Sequence, residues 1–265
     1  QTRWVNTKGV ETVRCYLDKC CDFLGWTTKL TDLDSTDLAA LQQHFIAAGN
    51  ANATVNKKLN LIKSLFVDAF KDGLVDKAAP MPKPLQEKNL RDETFSREEE
   101  RAFAEWFQQA GHPELADMFL FAIDTCARCG ELRKLRAHDF TLYGEGKGSV
   151  TFEDRKANNL GSVPLTARAY AIAKKYRSRE GRLWSYSLKQ VCELFNQAKA
   201  GVGLSHRTRL TFHCTRHSCA SRLAAANVSL AMIMRYGGWA SLTSVKRYLH
   251  IQVDALDPCV QALEG

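Results

Sequence analysis

The chain has 265 residues, 45% of them hydrophobic, with 37 Lys and Arg against 29 Asp and Glu, a formal charge of +8. That content supports one large domain or two moderate ones, and no apolar run approaches the ~20 residues with which a helix spans a bilayer, so a membrane-spanning helix is excluded. Nine cysteines without framework spacing, and no apolar leader, argue against a secreted disulfide scaffold and for a reducing cytoplasm. The positive balance favours a polyanion, nucleic acid ahead of an acidic membrane surface. Gln1 in place of an initiator Met reads as a piece of a longer protein, with residues upstream.

Residues 10–24 place Val13, Tyr16, Leu17, Cys20, Phe23 and Leu24 at helical spacing. Asp34 or Ser35 can cap a second helix that runs to Gly49. A third, from Thr54 to Gly73, shares Val55, Leu59, Ile62, Leu65, Phe66 and Ala69 on one face, with Lys57, Lys58 and Lys63 on or beside its polar side. Residues 1–77 therefore read as a small helical domain. Pro80, Pro82 and Pro84 disfavour helix, so 78–93 reads as an extended interdomain tether.

Ser96 and Glu99 form a capping-box pattern that opens the second domain, 94–265. Residues 1–94 carry 13 Lys and Arg against 12 Asp and Glu, and the remainder 24 against 17, so most of the positive excess lies in this second part. It is patterned mainly as helices: 100–111, 113–127, 167–177 and 187–200. Two short strands, "GSVTFED" and "LGSVPLT", are joined through Lys156, Asn158 and Asn159. From Thr211 to Ile251 three more helices are expected, broken at Asn227 and at Gly237-Gly238. Cys126 and Cys129 make a lone C-x-x-C; zinc needs two more ligands at suitable spacing, and no second pair is evident, so no metal is expected.

Arg128, Lys156, His213, Arg216, Trp239 and Tyr248 stand out as a candidate constellation. His213 and Arg216 are three apart at a helix start and share a face. Arginine offers a permanently charged planar fork that matches phosphate oxygens. A tyrosine hydroxyl attacks phosphorus once a neighbour takes its proton, and His and Lys carry protons. Together they suit phosphoryl transfer without metal or other cofactor.

On these residues the chain resembles the tyrosine recombinase, or phage integrase, family. "CARCGELRKL" resembles its first-arginine box, with Arg128 at the arginine and Glu131 at the usual acidic position. "RKANNLGSVPL" is similar to its hairpin, with Lys156 ahead of "VPL". "HCTRHSCASRLAAANVS" matches H-x-x-R-H through His213, Arg216 and His217. "YGGWASLTSVKRYLH" matches the closing box, with Trp239 where many members carry His. Indole only donates, so Trp239 is expected to pack or to give one hydrogen bond to phosphate. The first box carries Thr125-Cys126-Ala127 where Thr-Gly-Leu is common. "TVRCYLDKCCDFL" and "ATVNKKLNLIKSLFVDAFKDGLV" are similar to the family's core-binding domain, so the likeness runs from about residue 8 to about 250.

The resemblance implies a mainly α fold with a small β-sheet or hairpin: a helical core-binding domain and an α+β catalytic domain, closing on double-stranded DNA as a C-shaped clamp. It implies a site-specific recombinase or integrase of a mobile element, viral genome integration included. Tyr248 would form a 3′-phosphotyrosine, Arg128 and Arg216 would hold the non-bridging oxygens, Lys156 would protonate the leaving 5′ oxygen, and His213 would assist Tyr248. A topoisomerase or DNA-end resolving enzyme of the same chemistry, and a catalytically silent DNA-binding module, are the alternatives. Lys57, Lys58, Lys63, Arg133 and Arg136 are expected to contact DNA, His217 to be structural, and His250 to stand outside catalysis. A homotetramer at synapsis, with the tail from Ile251 to Gly265 reaching a neighbour, accessory bending or directionality factors, and a cytoplasmic, nucleoid-associated location complete the expectation.

Overall fold

The computed structural model describes residues 9–77, 80–87, 93–153, 161–245 and 248. The chain divides into two compact units, Gln1–Leu90 and Arg91–Gly265.

The first unit holds helices α1 (Val10–Leu24), α2 (Ser35–Ala47) and α3 (Asn52–Lys71). Asp34 caps α2: its side chain accepts from the Thr36 and Asp37 amides, and Asp37 reaches back to the Asp34 amide. Cys20, Leu38, Leu41, Phe45, Val55, Leu59, Ile62 and Phe66 form the core, so the apolar face expected of α3 is the one it buries. The proline-rich segment lies along this unit as a strap over its described residues, 80–87. Met81 and Leu85 pack on the core. The Asn56 side chain gives Nδ2 to the Leu85 carbonyl at 2.9 Å and accepts the Leu85 amide at 2.9 Å, and Gln42 donates to the Lys83 carbonyl at 3.0 Å. Prolines leave their neighbours' carbonyls without helical partners, and these side-chain amides supply them.

Lys58 requires a correction to the sequence expectation. Its side chain turns inward and is 1% exposed. Its ammonium donates to Asn50 Oδ1 at 3.0 Å and sits 3.6 Å from the centroid of the Phe45 ring. Burial, with Lys19 nearby, lowers its pKa. This ammonium is committed to the core and not presented to a polyanion. Lys57 and Lys63 are exposed.

The second unit is built on α5 (Pro113–Thr125), in which Leu115, Ala116, Met118, Phe119, Phe121, Ala122 and Ile123 are all buried. A helix apolar on nearly every side must be covered all round. It is packed by α4 (Arg97–Gln109), α7 (Ala167–Lys175) and α9 (Cys214–Ala225). Ser96 and Glu99 form the expected capping box at the start of α4. The four-residue α6 (Cys129–Leu132) follows α5; α8 (Leu188–Gly201) and α10 (Leu230–Gly237) complete the helices among the described residues. Phe95, Phe103, Phe119 and Phe195 meet ring to ring in the core, with centroids 5.1–6.2 Å apart.

A three-stranded antiparallel sheet, in the order β1-β2-β3, lies beside α7. β2 (Lys147–Thr151) and β3 (Ser162–Pro164) match the expected strands, with Val150 opposite Val163. β1 (Phe140–Gly144) is an addition to the strands expected from the sequence. It pairs with β2 across Glu145-Gly146, both at positive φ, the backbone that a two-residue hairpin turn demands. Of the three helices expected between Thr211 and Ile251, α9 and α10 form. The third region shows a 3₁₀ turn, Leu242–Ser244, and then passes outside the described residues apart from Val245 and Tyr248. Among the described residues no helix is long and apolar enough to cross a membrane.

Candidate active site

α5 ends at Cys126 in the left-handed conformation (φ 57°, ψ 22°). The reversal aims the Cys126 carbonyl at Arg216 on α9, whose Nη1 donates to it at 2.7 Å. The contact is reciprocal, because Cys126 Sγ meets the Arg216 carbonyl at 3.6 Å. The same Nη1 donates to the Gly237 carbonyl at 2.5 Å. Arg216 is 2% exposed, and its guanidinium carbon lies 3.7 Å from the centroid of the Trp239 ring. A buried cation held by two carbonyls and an indole is fixed in place before any ligand arrives.

Arg128 stands at the start of α6. Glu131 clamps it twice, accepting the Arg128 amide at 2.9 Å and Nη1 at 2.5 Å. Nη2 donates to the Gly238 carbonyl at 3.2 Å. The Arg128 side chain remains 39% exposed, so part of the fork faces outward.

Both glycines are used. Gly238 closes α10 at φ 66°, in the left-handed region. A Cβ on Gly237 would overlap the Trp239 indole. The Tyr236 hydroxyl donates to the Asp124 carbonyl at 2.6 Å, binding the end of α10 to the end of α5. Behind this joint, Arg168 on α7 gives Nε and Nη2 to Asp124 at 2.8 and 2.6 Å, and bonds Glu100 on α4. Arg222 on α9 bonds the same Glu100 at 2.6 Å. Burial pushes the Glu100 carboxyl up, but the bonds from Arg168 and Arg222 outweigh it and hold its pKa below the ordinary value. This network ties α4, α5, α7 and α9 together beneath the two arginines.

Tyr248 is 7% exposed, packed with Ala220, Ile233 and Val245, and its ring centroid is 5.7 Å from that of Trp239. Its hydroxyl is hydrogen-bonded to Nδ1 of His217, a buried residue of α9. His213 is exposed, its ring perpendicular to that of His217 with centroids 5.0 Å apart. Arg216 on α9 with His213 at its start, Trp239 past the α10 end, Arg128 at the α5–α6 turn and Tyr248 beyond the 3₁₀ turn are thus linked by contacts. Lys156, His250 and the tail lie outside the described residues. Arg133 is half-buried, with Nε on the Tyr186 carbonyl at 3.2 Å, while Arg136 is exposed.

Sequence reasoning named His217 as a structural residue and did not foresee the contact of its Nδ1 with the Tyr248 hydroxyl, although its place one turn after His213 puts both on one helix face. It also missed the Cys126 carbonyl and the Asp124–Arg168–Glu100 network, which no local motif signals. Cys126 and Cys129 are both drawn into the protein, and burial raises the Cys129 thiol to about 11. Among the described residues, His138, Asp139 and Glu153 are the one group of metal-ligating types that comes together.

The chain is similar to known proteins in both sequence and fold. Residues 95–254 match the model of the phage integrase family. The integrase of Salmonella phage P22 is 25% identical over 217 residues, covering 76% of this chain and 54% of that protein, so the chain spans about half the length of this curated relative. The fold is that of the Tn1549 transposon integrase solved with transposon right end DNA (TM-score 0.75, 15% identity, 98% of this chain and 96% of that one). It is also similar to XerH site-specific recombinase bound to difH (0.72, 18%, 94% and 79%) and to a lambda integrase dimer bound to a COC′ core site (0.73, 18%, 93% and 73%). The match over 95–254 takes in each of the six residues of the candidate constellation, and the chain belongs to the phage integrase family.

Proposed function

We propose that this chain is a site-specific DNA recombinase that cuts and rejoins double-stranded DNA through Tyr248. The observation that carries the reading is the convergence of a buried, immobilised Arg216, a clamped and outward-facing Arg128, Trp239 and the Tyr248 hydroxyl in one unit. Tyr248 Oη attacks the scissile phosphorus, and the P–O5′ bond breaks to leave a 3′-phosphotyrosine. Arg128 and Arg216 meet the charge that builds on the non-bridging oxygens; preorganised donors do this at little reorganisation cost. Trp239 seats Arg216 against its ring face. Lys156, which falls between β2 and β3 in the sequence, returns a proton to the departing 5′ oxygen. Attack by the 5′-hydroxyl of a partner strand reverses the step, and the phosphotyrosine conserves the bond energy.

Lys57 and Lys63 of the first unit, with Arg136 of the second, supply exposed charge for the DNA backbone. The DNA complexes of the Tn1549 integrase, XerH and lambda integrase support this partner. Exchange of four strands calls for a homotetramer, in which the segment from Ile251 to Gly265 reaches a neighbour. Integration or excision of a mobile element is the role that the P22 relative supports.

The test is covalent capture. The protein is incubated in EDTA, without ATP, with duplex selected for binding from a random pool, then denatured. The reading expects a protein–DNA adduct with the parent and none with Tyr248→Phe, which still binds. An adduct that persists in Tyr248→Phe would overturn it.

A further inference from the structure

A tyrosine hydroxyl ordinarily loses its proton only near pH 10, so attack on phosphorus calls for a base in contact with it. His213, the histidine that the motif singles out, is exposed and meets the ring of His217. The imidazole that touches the Tyr248 oxygen is that of His217, through Nδ1. Consecutive residues of a helix point about 100° apart, so α9 sends Arg216 toward Cys126 and Gly237 while sending His217 toward Tyr248. Four residues back, His213 lies on the same face as His217 and at the surface. The order outward is therefore Tyr248, His217, His213, solvent.

Resting on the recombinase reading above, we propose that His217 is a catalytic residue of this enzyme, the direct proton acceptor for Tyr248, with His213 the outer partner that positions its ring. In the competent tautomer, Nδ1 carries the lone pair and Nε2 the hydrogen. As the Tyr248 Oη–P bond forms, the hydroxyl proton passes to Nδ1. The electron pair of the breaking P–O5′ bond goes to the 5′ oxygen, which is protonated from elsewhere. In the rejoining step the 5′-hydroxyl bonds to phosphorus and gives its proton back to the group that supplied it, the Tyr248–phosphorus bond breaks, and His217 returns its proton to the tyrosine oxygen. The apolar wall of Ala220, Ile233 and Val245 keeps competing water from the hydroxyl.

The experiment separates a base from a structural histidine and from a leaving-group acid. Adduct formation is timed in single turnover on the selected duplex with an ordinary 5′ oxygen, and on one with a 5′-bridging sulfur, which departs without needing a proton. The full chain is used as parent, His217→Asn, His217→Ala, His213→Asn and Lys156→Ala. Asparagine places an amide oxygen near the Nδ1 position, so it keeps a hydrogen bond to Tyr248 but cannot take its proton. His217→Asn is expected to bind DNA like the parent and to form adduct about 10²- to 10⁴-fold more slowly on both duplexes. Imidazole in solution should restore part of the rate of His217→Ala. Lys156→Ala should recover on the sulfur duplex, and His213→Asn should lose less than His217→Asn. A His217→Asn rate within a few-fold of the parent would overturn the proposal, as would recovery of His217→Asn on the sulfur duplex. In either case a parent adduct at Tyr248 leaves the recombinase reading standing, whereas a parent without any adduct removes both.

Discussion

Arg128 and Arg216, distant in sequence, donate to the carbonyls of adjacent residues, Gly238 at 3.2 Å and Gly237 at 2.5 Å. The spacing between the two positive forks is therefore set by one peptide unit at the end of α10. Any change that shifts this peptide moves both arginines together.

Gly237→Ala tests the seat. Its added methyl would overlap the Trp239 indole, so the indole must leave the Arg216 guanidinium. The variant should fold, yet form adduct as slowly as Trp239→Ala. Combining the two should cost no more than either alone, because the methyl then has nothing to strike. Single-turnover adduct rates for the three proteins check this; additive losses would contradict it.

Trp239 acts on Arg216 through its ring face. A desolvated cation–π interaction is worth about 2 kcal/mol, which corresponds to roughly 30-fold in rate when the ring is removed. Trp239→Ala should approach that loss, and Trp239→Phe, which keeps a weaker ring face, should fall between it and the parent. DNA affinity should change little in both, because backbone contacts spread over the surface dominate it.

Much of this is legible without the fold. Helix positions follow from apolar spacing, and the Asp34 and Ser96 caps from side chains that hydrogen-bond their own helix starts. The arginines, Trp239 and Tyr248 are marked by residue type and order. What escapes the sequence depends on tertiary packing. Lys58 has the charge of a surface lysine but points inward, because Asn50 and Phe45 offer its ammonium an oxygen and a ring face. The strap at 80–87 is extended, as its prolines require, but its docking depends on Asn56 and Gln42, far away in sequence. β1 is short and opens on a Glu-Gly turn that propensity does not mark.

Glu100 holds Arg168 and Arg222 while 2% exposed. Glu100→Gln should destabilise the second unit by about 3–5 kcal/mol, the usual cost of leaving buried cations unmatched. Its folded pKa lies below the ordinary 4.5, so its stabilisation is complete above that value and is lost as pH falls through the lower folded value. Urea unfolding read by hydrogen exchange in α5 should show parental stability falling below about pH 4.5, with that share of the slope absent in Glu100→Gln. An unchanged slope would contradict the role given to this carboxylate.

Lysines 57, 58 and 63 should separate by salt dependence. Lys57→Ala and Lys63→Ala should each reduce the slope of log affinity against log salt by about 0.9 for each phosphate left without its lysine. Lys58→Ala should leave the slope unchanged and instead lower the stability of the first unit, because it empties a core position. Titrations of DNA binding between about 50 and 200 mM salt, beside unfolding of the same proteins, distinguish the two effects.

Tyr248 is the residue expected to carry the covalent bond to DNA. The most direct measurement is to trap the adduct on selected duplex, digest protein and DNA, and sequence the nucleotide-bearing peptide by mass spectrometry. A single modified residue, Tyr248, linked to the 3′ phosphate, is expected, with a free 5′-hydroxyl on the other product. A nucleotide on any other residue, or a 5′ linkage, would contradict it.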